Sequence, residues 1–452
     1  MLNPPDVSHW HATLDDTSRR PALEGNETAD VVIIGAGYTG LWTAYYLAAQ
    51  NPTLKISVVE AQFVGFGASG RNGGWCSPDL SGLDDWFDDP ATRNGAMVLN
   101  TQMLDAVDEV GRIAQRENID CDYAKDGQIA VAVTARQEKK LRKTFAGEKK
   151  DGTDGGAVWL QDEDIGHYIN VHQARAAVLW PQCAVVHPAK LVTGLAQVVE
   201  RQGVKIFERS AVTHIAPGKV QTEKGAIAAG QVMIATEAYS AKIPQLAKRL
   251  VPIHSQLIVT EPLSDDVWRQ IGLKDRLLFS DGRALVTYGQ RTVDRRIAFG
   301  YRASYLFGSG IRDVFSPKDP SFETIRRILV SLFPVLAATK IDRCWGGALG
   351  VARNLQAFVQ YDAATRIGWA GGYTGNGVAA SNLAGRTMAD LLLGEQTERV
   401  TTPWVKIGED PLSAFPKWEP EPLRWVAVQG VRGVLEAWDW LENSSLRRTM
   451  RS

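Results

Sequence analysis

The sequence predicts an α/β fold: a discontinuous Rossmann-type dinucleotide-binding domain with an inserted antiparallel-sheet domain of α+β character. Three observations carry this. Residues Val31 to Glu60 give strand, glycine turn, helix, strand and terminal acid in one order. Two further glycine-rich loops, at 65–74 and 371–377, stand apart from it along the chain. Between them βαβ alternation gives way to a block of strands.

Val31 to Ile34 is a β-branched apolar run suited to a strand buried on both faces. Gly35, Gly37 and Gly40 complete G-x-G-x-x-G: a tight turn, close approach of backbone to a pyrophosphate, and close packing of helix on strand. Tyr38 and Thr39 lie inside the motif, and Leu41 to Gln50 forms the helix. Its N-terminus aims unpaired N–H groups and partial positive charge at the diphosphate. Ile56 to Val59 is the second strand, ended by Glu60 and Ala61 at the place where an acid takes the ribose hydroxyls.

Gly65, Gly67, Gly70, Gly73 and Gly74 crowd the next loop, with Ala68, Ser69, Arg71 and Asn72 among them. Such density suits backbone laid against something flat or phosphorylated; a flexible linker is the plainer reading. Helical spacing covers Asn94 to Glu117, a strand Ile129 to Val133, and a basic polar helix Arg136 to about Lys149. DGTDGG at 151–156 is a solvated loop. His187-Pro188 opens a helix within Ala184 to Glu200, then come strands Val204 to Glu208 and Val232 to Thr236. Strands His254 to Thr260, Ala284 to Tyr288 and Arg296 to Tyr301 form the expected antiparallel sheet. A helix at Phe322 to Phe333 and a buried strand at Ile367 to Gly372 follow, running into the last glycine loop and a long helix.

Lys+Arg 50 against Asp+Glu 51 leaves no bulk field for nucleic acid or an anionic membrane, so a small-molecule partner is expected. Cys76, Cys121, Cys183 and Cys344 form no C-x-x-C pair, which argues against a zinc site or disulfide framework and fits a reducing cytoplasm. No stretch has the length or pattern of a membrane span or signal peptide.

The segments 29–48, 58–74, 294–302, 343–350, 368–394 and 418–425 together resemble the FAD-dependent amine oxidases built like D-amino-acid oxidase, glycine oxidase and sarcosine oxidase. The likeness is greatest to the branch of gamma-glutamylputrescine oxidases. It implies FAD, and places the FAD-binding domain at 29–85, 185–245 and 345–400. Residues 86–184 and 246–344 then form the substrate domain, 1–28 an N-terminal arm, and 401–452 a tail whose Trp425, Val428, Val431, Leu435, Trp438 and Leu441 line one face of a helix. The implied chemistry is hydride transfer from an amine carbon to flavin, then hydrolysis of the imine to a carbonyl. Such a reaction asks for positioning more than for acid–base side chains. No serine–histidine–acid pattern or catalytic carboxylate pair is found. Molecular oxygen is the expected acceptor, giving hydrogen peroxide; a dehydrogenase serving a quinone or carrier protein, and a non-catalytic or RNA-modifying flavoprotein, stay open.

The resemblance sets Gly372, Tyr373, Thr374, Gly375, Asn376, Gly377 and Val378 beside the flavin pyrimidine, where the helix N-terminus stabilises negative charge on the reduced ring. Val212 and Gly346 complete the cofactor set. Arg71 is either a flavin-facing cation or a surface arginine tying the loop down. Arg302 aligns with a substrate-binding histidine of sarcosine oxidase, so it is the first candidate to hold an anionic substrate group, against a plain surface salt bridge. Tyr288 and Trp345 complete the catalytic candidates, with His254 and Arg353 weaker. Trp75 is a pocket wall or core. Ala298 stands where sarcosine oxidase has an oxygen-activating lysine. Cys344 is either a covalent flavin link or a small apolar residue. No metal is expected, and the chain is taken as a cytoplasmic monomer or small homo-oligomer.

Overall fold

The structure is a computed structural model describing residues 2–430, 432–434 and 437–438, with the side chains of residues 302 and 303 outside the described set. Its first sheet has nine strands. Strand Gly25–Ile34 lies centrally, with Ile56–Val59 on one side and Gly225–Ile234 on the other, all parallel. Beyond them come Lys205–Phe207 and Ile367–Gly371, again parallel. The order therefore reverses direction at Gly25–Ile34, the topological switch point where open α/β sheets bind ligands at their carboxyl ends.

The second sheet has eight strands and is antiparallel except where Leu278–Asp281 runs parallel to Gln128–Ala132. Its longest ladder joins Leu250–Thr260 to Ile341–Ala352, from Leu250 opposite Ala352 to Thr260 opposite Ile341. That ladder corrects the expected boundary at 345. A cut there would sever one continuous strand. The helix Arg93–Arg116 also sits elsewhere than expected: Leu99, Met103, Val107 and Val110 join the core of the first sheet beside helices Tyr38–Gln50 and Gly377–Leu393. At the other end Val405–Ile407 joins the edge of the first sheet, so part of the tail belongs to it.

Strand Gly25–Ile34 starts six residues earlier than its apolar run, because residues 25–29 extend the ladder with Gly225–Ile234 although their side chains are mostly exposed. The strand expected at Ala284 to Tyr288 lies at Thr287–Arg291 instead. Residues 282–286 turn around a buried ion pair between Arg283 and Asp281, and Thr287 Oγ1 donates to Asp281 Oδ1 at 2.7 Å. Residues 423–430 are helical, but Trp425, Val434 and Trp438 are exposed and it is Arg424 that is buried. Val431, Leu435 and Leu441 lie outside the described residues. Among the described residues no helix is long and apolar enough to cross a membrane.

Candidate cofactor and substrate site

A cavity of about 530 Å³ opens at the switch point and runs to the second sheet. Gly35 and Glu60 follow the first two central strands, and Ala235, Thr236 and Glu237 follow the third; all five line it. Gly35 has φ +107, and a Cβ there would meet Ala235 O at 2.6 Å, so only glycine fits this turn. The third glycine acts elsewhere: a Cβ on Gly40 would stand 2.1 Å from Gly35 O, and Gly40 is not in the cavity wall. The first intrahelical bond is Leu41 N to Gly37 O, which leaves the Thr39 and Gly40 amides without an acceptor inside the helix. The Tyr38 amide donates to Ser69 Oγ at 2.8 Å, joining this turn to the second glycine loop.

Glu60 accepts the Ala36 amide at 3.0 Å and the Gln62 amide at 2.9 Å. Burial raises its pKa against those bonds. Of the second loop, Gly67, Ala68, Ser69, Arg71, Asn72 and Gly73 line the cavity, while Gly70 and Gly74 stand behind it.

Arg71 is buried, so the surface alternative does not describe it. Its Nε donates to Phe66 O at 2.7 Å, and Nη1 donates to Asp313 O at 2.6 Å and Gly346 O at 3.2 Å. Among the described residues Nη2 has no acceptor. Gly346 thus serves the site through its carbonyl without lining the cavity. Burial lowers the Arg71 pKa from its ordinary value, yet a guanidinium stays charged.

From the third loop, Tyr373, Gly375, Asn376, Gly377 and Val378 line the wall; Gly372 and Thr374 do not. Asn376 is the N-cap residue of helix Gly377–Leu393 and its side chain makes no cap bond there. Thr39 Oγ1 and the Tyr373 hydroxyl are 3.0 Å apart, linking first and third loops. Val212 also lines the wall.

On the second-sheet side, Tyr288 lines the cavity with its hydroxyl 2.5 Å from Ser255 Oγ. Its ring lies over two glycines: a Cβ on Gly73 or Gly300 would meet it at 2.5 Å or 2.2 Å. Trp75 stands edge-on to Tyr288 in the same wall. Arg302 pairs its backbone with Ser255, but its side chain lies outside the described residues.

Trp345 does not line the cavity. Its indole N–H donates to Arg71 O at 2.9 Å and its ring packs edge-on against Trp10. Ala298 is buried in the same cluster. Cys344 turns to the other core, that of the second sheet. His254 is a satisfied core residue, with Nε2 accepting the Arg312 amide at 2.9 Å and Nδ1 facing Ser304 O. Arg353 pairs with Glu419 at the surface. Sequence reasoning missed Glu237, Ser255 and Tyr239, none of which stands in a motif. Among the described residues no group of ligating side chains could hold a metal.

Residues 30–391 match the DAO family, described as FAD dependent oxidoreductase. The chain belongs to this family. DAO relatives include the gamma-glutamylputrescine oxidoreductase of Escherichia coli (strain K12), 32% identical over 398 residues, 86% of this chain and 89% of that protein. The sarcosine oxidase subunit beta of an Arthrobacter species is 22% identical over 84% of this chain and 91% of its own. In fold, the DAO-type architecture is that of glycine oxidase from Geobacillus kaustophilus: TM-score 0.68, 18% identity, covering 82% of this chain and 96% of that one. The chain is thus an FAD-dependent oxidoreductase of the amine and amino-acid oxidase family.

The site fits that cofactor on its own chemistry. Glycines clear the approach to the switch point, an acid stands at the second strand end, and an orphaned guanidinium nitrogen is buried beside the cavity.

Proposed function

We propose that this chain holds FAD noncovalently along the cavity and oxidises a primary or secondary amine carrying an anionic group to an imine, which water hydrolyses to a carbonyl. The observation that supports this best is the continuity of one cavity from Gly35 and Glu60 through the second loop to Tyr288 and Trp75. Gly35, Gly37 and the Thr39 amide, which has no acceptor inside the helix, would hold the diphosphate, and Glu60 the ribose. Arg71 and the loop 373–378 would hold the ring. When bound, FAD supplies a two-electron acceptor for hydride leaving the carbon that bears nitrogen.

The residues of this chain would do the rest by placement. Trp75 and Tyr288 close the second-sheet side and exclude water. The Ser255 hydroxyl, 2.5 Å from the Tyr288 hydroxyl, fixes that ring over Gly73. The anionic group is inferred from the relative named for gamma-glutamylputrescine and from the place of Arg302 on its strand. An anaerobic screen of acylated polyamines, amino acids and simple amines tests the reading, with loss of flavin absorbance expected for an amine bearing a carboxylate. Bleaching by none of them would overturn it.

Oxygen is the acceptor favoured by the relatives named as oxidases. Hydrogen peroxide released with substrate in air is the expected result. Flavin reduction without peroxide would assign a dehydrogenase.

A further inference from the structure

Five consecutive carbonyls of the second glycine loop are each fastened from outside the loop. Gly70 O accepts Ser8 Oγ at 2.8 Å, Arg71 O accepts Trp345 Nε1 at 2.9 Å, and Asn72 O accepts Trp10 Nε1 at 2.8 Å. Gly73 O accepts Gln290 Nε2 at 2.6 Å and Gly74 O accepts Val186 N at 2.9 Å. Two of the five donors come from the short helix-bearing stretch 8–12 of the N-terminal arm, far from any cofactor motif in the sequence.

The arm is built to reach that place. Ser8, Trp10 and His11 are all buried. The Ser8 hydroxyl has one proton, and giving it to Gly70 O leaves Ser8 Oγ to accept from His11 Nδ1 at 2.9 Å and from the His11 amide at 3.2 Å. The imidazole lies so close that a Cβ on Gly70 would stand 2.1 Å from it, so that glycine admits the arm rather than a ligand. Trp10 is held in turn edge-on to Trp345 and His187.

In a trans peptide the N–H points away from the C=O. Fastening Asn72 O to the arm therefore aims the Gly73 amide to the opposite side, and Gly73 lines the cavity. Fastening Arg71 O and Gly70 O likewise fixes the backbone from which the Arg71 side chain departs.

We propose that Ser8 and Trp10 of the N-terminal arm are positioning residues of the cofactor site, which hold the loop 70–73 from behind in its cofactor-binding shape. This rests on the FAD reading above. The arm touches no cavity surface itself; it acts through the loop.

The test uses the full-length chain, with Trp10→Phe, which removes the N–H and keeps an aromatic but smaller ring against Trp345 and His187, and Ser8→Ala. Three quantities are read: unfolding of the FAD-free protein, hydrogen exchange of peptides covering 65–76 in that same form, and FAD affinity with the flavin absorption spectrum. Each variant is expected to stay folded, to exchange about tenfold faster across the loop, and to bind FAD about tenfold more weakly with shifted flavin bands, the size of the one buried hydrogen bond to the loop that each variant loses. Unchanged loop exchange and unchanged FAD affinity in folded variants would overturn the proposal. Faster loop exchange in a protein whose parent binds no FAD would sink the FAD reading instead and leave the brace standing. Should Trp10→Phe fail to fold, Ser8→Ala, which removes one oxygen atom, decides alone.

Discussion

The Glu237 carboxylate accepts the amide of Gly350 at 2.5 Å, joining the end of a first-sheet strand to the longest strand of the second sheet. It also accepts the Gly372 amide at 2.9 Å and the Tyr373 amide at 3.1 Å, so one half-buried acid fastens three segments around the cavity. Glu237 does this with φ 44, a strained backbone for a residue with a side chain, while Gly350 leaves room where a Cβ would stand 2.2 Å from Oε2. Burial pushes its pKa up from 4.5 to about 7, against the amides of Tyr373, Gly350, Gly372 and Ala238, which favour the charge. Because the folded value lies above the unfolded one, its contribution to stability is complete below about pH 4.5 and is lost as pH rises to 7. The stability of the parent relative to Glu237→Gln should therefore fall by about 3 kcal/mol across that window. Denaturant unfolding of both proteins from pH 4 to 8 measures it; parallel curves would show that Glu237 does not titrate there.

Arg71 makes a second junction of the same kind, binding the carbonyls of Phe66, Asp313 and Gly346 through a fork no other side chain provides. Arg71→Lys keeps the charge and loses the geometry. It should cost about 1–3 kcal/mol through carbonyls left unpaired in the interior, read by denaturant unfolding of the FAD-free protein. Equal stability of the lysine variant would mean that charge alone matters.

The first loop and its strands were legible because each glycine there answers a local demand, such as the positive φ of Gly35 or the helix contact of Gly40. The second and third loops were legible for their glycine density. Glu237 was not, since its partners stand 113 to 136 positions away and no local pattern announces them. The arm escaped for the same reason: Ser8 and Trp10 act over a separation of 62 residues. Trp345 was singled out in the right neighbourhood, but alternation along its strand aims it at Trp10 behind the loop. The boundaries at 86 and 345 failed because a helix and a strand go to the core that buries them, whichever motif lies nearest in the sequence.

Tyr288 offers a separation of binding from turnover. Its ring fills the space left by Gly73 and Gly300, and its hydroxyl meets Ser255. Tyr288→Phe retains the ring, so FAD affinity should stay at the parent value. Losing the hydroxyl should lower kcat/KM for the amine about tenfold, or about 1.4 kcal/mol of transition-state stabilisation. An equal loss in FAD affinity would instead make Tyr288 part of the cofactor cradle.

Covalent attachment of flavin through Cys344 would need an accessible thiolate facing the ring. The structure gives the opposite setting. Cys344 packs against the core of the second sheet, is not in the cavity wall, and burial pushes its thiol up to about 11. Its neighbour Trp345 faces the other side of the same strand, toward the arm, so turning the thiol to the cavity would turn the indole away from Arg71 O. Acid denaturation should therefore release all flavin into the supernatant, and Cys344→Ala should bind FAD as the parent does. A flavin-sized mass increment on the polypeptide, absent from Cys344→Ala, would refute this.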